Sequence, residues 1–256
     1  MIWSAYSDIG MKRKVNQDSY ILRPFSEKTL LCVVCDGMGG AKGGEEASKI
    51  ASETFAANVE EFIMPYVGAK DKTLHVNDIR DKLIESVDKA NNAVHSYAKE
   101  HSSLKGMGTT LVAVLIIEHN IFCINVGDSR MYAIKGSKIK QITKDHSYVQ
   151  YLIDMGQLTE KEAETFPNRN VITRAVGTEP EVLPETFRDT ASDGTFILLC
   201  TDGLTNFVKD DEIKDILTRD SKNMDAITLN LRVKRLIDTA NKNGGADNIT
   251  AAVIKL

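Results

Sequence analysis

The sequence predicts an α+β fold, and three observations carry that prediction. Apolar runs of strand length come in groups instead of alternating one by one with helices. Long stretches between the early and middle groups show helical periodicity. The chain has 256 residues, 42% hydrophobic and 27% charged, which suffices for a sizeable buried core.

Ile2 to Ser7 reads as the first strand and, after the polar stretch Asp8 to Asn16, Ser19 to Arg23 as the second. Leu30 to Cys35 is short and continuously apolar, which fits a strand buried on both faces. It ends in Asp36-Gly37-Met38-Gly39-Gly40. Helices are predicted over about Gly44 to Phe62 and Val76 to His101, parted by Pro65 and Gly68. In the second, Ile79, Leu83, Val87, Ala90 and Val94 recur at three- and four-residue steps.

Thr109 to Ile117, Ile121 to Val126, Met131 to Ile134 and Ile139 to Ile142 are separated by short turns, which predicts an antiparallel meander. The stretch 145–179 is polar and weakly periodic, and Thr159 and Glu162 have capping-box spacing. It reads as short helices in an excursion from the sheet. Strands resume at Glu185 to Arg188 and Thr195 to Cys200. Helices follow near Asp210 to Arg219 and Asp225 to Asn241, and the last strand is Asn248 to Ile254. With no internal repeat, low-complexity tract or linker, one domain over 1–256 is expected.

The formal net charge is -4 and no basic block appears, so nucleic-acid binding has no electrostatic support. The N-terminus lacks the basic start and apolar core of a signal peptide, and no apolar run is long enough to cross a bilayer. Cys32, Cys35, Cys123 and Cys200 lie in strand-like runs. Cys32 and Cys35 would point to opposite faces of a strand, so buried thiols in a reducing compartment, the cytoplasm, are expected.

One pattern recurs. Apolar strands run out into an aspartate beside a glycine at Asp36-Gly37, Gly127-Asp128 and Asp202-Gly203, and Gly244-Gly245-Ala246-Asp247 precedes the last strand. Any one of these alone also reads as turn chemistry. After Asp36 and Asp202, however, the chain enters helical pattern instead of a partner strand. Carboxylates gathered at strand ends repel in a low-dielectric cleft, and hard divalent cations relieve that repulsion. The glycine-rich stretch 37–44 fails both the Walker A and the dinucleotide-binding patterns. Arg13, just before Asn16-Gln17-Asp18, carries the planar fork of donors that suits phosphate.

Taken together, Ser7-Asp8-Ile9-Gly10, Arg13, Asn16-Gln17-Asp18, Asp36-Gly37-Met38-Gly39-Gly40, Gly106-Met107-Gly108-Thr109-Thr110, Gly127-Asp128-Ser129-Arg130, Thr201-Asp202-Gly203 and Asp247-Asn248-Ile249-Thr250 form an ordered set. In this order they resemble the PP2C-type (PPM) metal-dependent serine/threonine phosphatases, particularly the compact bacterial members. The resemblance spans nearly the whole chain. It implies a four-layer αββα sandwich, two antiparallel sheets face to face with helices outside, and two core Mn2+ or Mg2+ ions at one end. By that similarity Asp36 would bridge the ions and the Gly37 carbonyl would bind one of them. Asp202 and Asp247 would complete the shell, and Asp18 would hold metal-bound water beside it. Asp128, with Asp202, would hold a third, weaker ion. Arg13 would grip the substrate phosphate, and 145–179 would be the flap beside the site.

The resemblance further implies phosphorylated protein substrates, a cognate serine/threonine kinase and a monomeric enzyme. Two departures matter: Gln17 stands where animal relatives carry an acidic residue, and Met38 where they carry a histidine proposed as general acid. Ala41 likewise replaces a histidine common in bacterial relatives. The core aspartates argue against a catalytically silent binding domain. The lack of a base-binding motif argues against a nucleotide phosphohydrolase. Among the histidines, His75, His95, His101 and His119 lack metal-ligand spacing and read as solvated surface, while His146 lies at the flap edge.

Overall fold

The computed structural model describes residues 1–69, 74–163, 165–167, 170–221 and 223–256. Strands β1 (Ile2–Asp8), β2 (Asp18–Ser26) and β3 (Thr29–Met38) lead into helices α1 (Gly40–Ile63) and α2 (Val76–Glu100). Then come β4 (Gly108–Thr109), β5 (Leu111–Ile117), β6 (Asn120–Val126), β7 (Arg130–Lys135) and β8 (Lys138–Gln141). The excursion holds α3 (Tyr148–Asp154) and α4 (Glu160–Ala163). Its residues 164, 168 and 169 lie outside the described residues. Strands β9 (Glu185–Thr190) and β10 (Phe196–Cys200) precede α5 (Asp202–Thr205), α6 (Asp210–Thr218) and α7 (Ala226–Lys242). Strand β11 (Ile249–Lys255) closes the order.

Among the described residues every strand pairing is antiparallel. One sheet runs β2-β3-β5-β6-β9 with β4 beside β3, and the other runs β1-β11-β10-β7-β8. The period-two pleat sorts β3 cleanly. Leu30, Cys32 and Val34 join Ile197, Leu199, Ala252 and Ile254 in the layer between the sheets. Leu31, Val33 and Cys35 pack with Phe55, Val59, Leu83 and Val87 of α1 and α2. The outer face of the second sheet packs Leu198 and Val253 against Leu229, Val233 and Leu236 of α7. These three apolar layers make the four-layer sandwich. Cys32 and Cys35 sit in different layers, and all four cysteines are buried and free.

Two expectations are corrected. The run read as one meander is split: β5 and β6 pair in one sheet, β7 and β8 in the other. The chain changes sheet where Gly127 adopts a φ of 105°, a turn that strand patterning does not register. Helix α1 begins at Gly40 instead of Gly44, because helix propensity discounts the glycines at 40, 43 and 44; Gly39 and Gly40 turn the chain into it with positive φ.

The end of β10 and the start of β11 are held together by a close backbone contact. A Cβ on Gly203 would lie 1.9 Å from the Asn248 carbonyl oxygen. We expect Gly203→Ala to lower stability by about 2–3 kcal/mol, read as a lower urea midpoint at unchanged slope. An unchanged midpoint would show that the two strand ends separate freely.

Candidate active site

The aspartates converge because of strand register. Asp18 opens β2 and Asp36 lies near the end of β3, and the two are direct cross-strand partners. Asp202 follows the end of β10, Asp247 precedes β11, and β10 and β11 pair antiparallel. Asp128 follows β6, whose end pairs with the start of β5 at Leu111. The neighbouring Thr110 N–H donates to the Asp36 carbonyl at 2.9 Å. All five carboxylates therefore belong to one end of the sandwich.

Hydroxyl groups hold them there. Asp18 Oδ2 accepts from Thr250 Oγ1 at 2.6 Å and from Thr201 Oγ1 at 3.0 Å, which ties one sheet to the other. The Asp36 N–H donates to Thr110 Oγ1 at 2.9 Å, and Thr109 Oγ1 donates to the Asp36 carbonyl at 2.8 Å. Asn248 secures the loop that carries Arg13. Its Nδ2 donates to the Ile9 and Val15 carbonyls at 2.9 and 3.0 Å, and its Oδ1 accepts from the Gln17 N–H at 2.9 Å. Gly37 is needed for packing, because a Cβ there would meet the Gly44 carbonyl oxygen at 1.9 Å.

An open cleft of about 430 Å3 is lined by Asp36, Gly37, Asp128, Asp202, Asp247 and Arg13, with Met38 and Gln17 also on its wall. Asp18 stands behind that wall. Arg13 and Asp247 pair with each other at 2.7 Å, which sequence reasoning did not anticipate. Their side chains are 48% and 30% exposed. A pair this open contributes about 0–1 kcal/mol and yields readily to a competing ion. Gln17 Nε2 donates to the Gly40 carbonyl at 2.7 Å, so this amide braces the entry of α1.

The electrostatics are those of crowded acids. Burial first, then Asp202 and Asp247, push Asp18 up to about 7 against the two threonine hydrogen bonds. Burial and the neighbouring Asp202 likewise raise Asp128 to about 7. Burial, Asp18 and Asp202 hold Asp36 well above the usual carboxylate range. Asp202 is raised by burial and by Asp247.

The donor set fits divalent cations. Asp18 Oδ1 and Asp202 Oδ1 are buried without a hydrogen-bond partner, which is costly for a carboxylate unless a cation completes it. Among the described residues, no three acidic, histidine or cysteine side chains already close around a single point. Mg2+-like ions suit such a spread set, since they bind through one or two carboxylates and keep several waters.

The excursion sits beside this cleft through Asn170 and Ile172. A bridge between Ser147 and Ile172 closes its base. Arg130 fixes its start, pairing with Asp145 at 2.7 Å. The capping box at Thr159 and Glu162 forms as the spacing predicts. His75, His101 and His119 are exposed, as expected. His95 is not: Nδ1 lies 3.2 Å from the Gly177 carbonyl and Nε2 is buried. The helical stripe Val87, Ala90, Val94 sets α2 against the core and turns His95 toward this segment. Thr110 and Thr201, just outside strands, and Thr250, inside β11, were missed as supporting residues because a hydroxyl carries no signal in the sequence of its distant partner.

The family model for protein phosphatase 2C matches residues 11–238. Protein phosphatase PhpP of Streptococcus pneumoniae is 35% identical over 256 residues, covering 99% of this chain and 96% of that protein. The structure of the serine/threonine phosphatase PstP/Ppp of Mycobacterium tuberculosis is similar with a TM-score of 0.83 at 33% identity, over 99% of this chain and 97% of that one. The catalytic domain of PstP in complex with two manganese ions gives a TM-score of 0.78 at 32% identity, over 98% and 96% of the two chains.

Carboxyls whose folded pKa lies above the unfolded value of about 3.9 bind protons more tightly when folded. Here they add stability that is complete below about pH 4 and is lost as pH rises through about 7. The chelator-treated protein should therefore melt at a lower temperature as pH rises from about 5 to about 8, and Mn2+ should remove most of that slope. A chelated melting temperature that climbs across this window would contradict the crowded-acid reading.

Proposed function

The chain belongs to the protein phosphatase 2C family, and on that premise we propose that its cleft hydrolyses phosphoserine and phosphothreonine in proteins with divalent cations. Its activity is that of a serine/threonine protein phosphatase. The observation that carries the finer reading is the set of buried, raised carboxylates in and behind the cleft wall, with an unpartnered oxygen on Asp18 and on Asp202.

In this reading Asp36, Asp202, Asp247 and the Gly37 carbonyl hold two core ions, Mn2+ or Mg2+. Asp128 and Asp202 hold a third, weaker one. Bound there, the ions acidify water and offset negative charge on the phosphate. Asp18 supports the site from behind, its Oδ2 kept in place by Thr201 and Thr250. Arg13 offers a fork of donors to the phosphate oxygens from its half-exposed position at the rim. Met38 carries no transferable proton, so it does not protonate the leaving alkoxide. Because water attacks phosphorus directly, the chemistry asks for no nucleophilic cysteine, and all four thiols are buried.

The same reading places the chain as one domain, 1–256, with the flap at 145–179. It acts as a cytoplasmic monomer opposite a cognate serine/threonine kinase. No helix among the described residues is long and apolar enough to cross a membrane.

Asp36→Asn or Asp202→Asn should reduce Mn2+-dependent turnover of a phosphothreonine peptide by about a thousand-fold or more while the fold survives. Asp128→Ala should leave measurable activity and require more Mn2+. Near-normal turnover by both Asn variants would sink the carboxylate-cation mechanism.

A further inference from the structure

One buried histidine that the proposed chemistry does not use joins two elements that it does. His146 is only 6% exposed. Its backbone N–H donates to the Gly127 carbonyl at 2.9 Å, and the Gly127 N–H donates back to its ring Nδ1 at 3.1 Å. Asn125 Nδ2 donates to the same carbonyl at 3.2 Å. Both polar backbone atoms of Gly127 are thus committed. Its φ of 105° admits few side chains, and a Cβ would lie 2.6 Å from Thr110. The next residue in the chain is Asp128.

The tautomer of His146 follows from these partners. A backbone N–H only donates, so Nδ1 must be the unprotonated nitrogen. The ring proton then sits on Nε2 and faces Glu185 Oε1 at 3.5 Å; Arg174 Nη1, 3.3 Å from Nε2 and itself only a donor, gives its protons to the Leu183 carbonyl at 3.3 Å and toward Glu185 Oε1 at 3.6 Å. Burial and the Arg174 charge lower the pKa of the ring, which keeps it neutral. The Thr173 N–H donates to the His146 carbonyl at 2.8 Å. One residue therefore connects the Gly127–Asp128 turn to both limbs of the flap and to the first residue of β9.

We propose that His146 is a positioning residue: by accepting from Gly127, its Nδ1 sets where the Asp128 carboxylate stands and couples that carboxylate to the flap. The inference rests on the reading of the cleft as a cation-assisted phosphatase in which Asp128 holds the weaker ion. It gives the flap a direct mechanical link to the acidic site, because loss of the bond frees the turn that both share.

An asparagine carboxamide reaches about as far as Nδ1, whereas a glutamine carboxamide reaches about as far as Nε2, so two variants separate the ends of the ring. In the wild type, imidazole 15N shifts should report the Nε2–H tautomer from about pH 7 to about pH 8, and the Gly127 amide should be protected from exchange. His146→Asn should keep that protection and hold kcat for p-nitrophenyl phosphate at saturating Mn2+ within about two-fold. His146→Gln should expose the Gly127 amide and lower kcat by about ten-fold with little change in KM. An Nδ1–H tautomer or a rapidly exchanging Gly127 amide in the wild type would overturn the proposal. So would His146→Gln behaving like His146→Asn in both exchange and kcat. Lack of Mn2+-dependent hydrolysis by the wild type would overturn the functional reading alone, since tautomer and exchange decide the role of the histidine without turnover.

Discussion

Mutual repulsion among buried carboxylates is the constraint around which the rest of this molecule is arranged. Asp18, Asp36, Asp128 and Asp202 are all held above their ordinary pKa, with burial the largest cause in each case. Acids left to themselves would move apart or reach water. Here the backbone does not allow it. Asp18 and Asp36 face each other across a strand pair, and Asp202 and Asp247 flank a second pair in the opposite sheet. The strain is local, and it is offset by the apolar layers that fix the strands. A site built this way is destabilising when empty of charge partners and stabilising once cations arrive.

The hydrogen bonds around the acids come from hydroxyl and amide side chains. Threonine hydroxyls and asparagine amides donate into the carboxylates or clamp the backbone that carries them. Thr250 and Thr201 reach Asp18 from the other sheet, so the bond that orients one acid also joins the two halves of the sandwich. Arg13 and Lys14 both line this cleft, and Arg13 pairs with Asp247 in a contact open to solvent. It offsets part of the negative charge without closing the cleft. A guanidinium held loosely at the mouth serves both to neutralise the acids and to meet an incoming phosphate.

Much of the fold was legible in the sequence because its central strands are apolar on both faces and its long helices are strongly periodic. Leu30 to Cys35 and the stripe from Ile79 to Val94 each announce their element and its burial. The placement of Asp202 and Asp247 beside strand ends was legible for the same reason, whereas β3 runs on through Asp36 to Met38, past the end its apolar run shows. What was not legible depends on partners remote in sequence. The sheet change at Gly127, the half-buried position of His95 and the burial of His146 follow from contacts with segments many residues away. The pairing of Arg13 with Asp247, separated by nearly the whole chain, belongs to the same class.

The central claim is that these carboxylates hold protons in the absence of metal and release them to divalent cations. Titration calorimetry of the chelator-treated protein with Mn2+, repeated in buffers of different ionisation enthalpy, measures that directly. The account predicts tight binding accompanied by release of about one proton or more per protein near pH 6.5, diminished in Asp36→Asn. Mn2+ binding without proton release, or no Mn2+ binding at all, would contradict it.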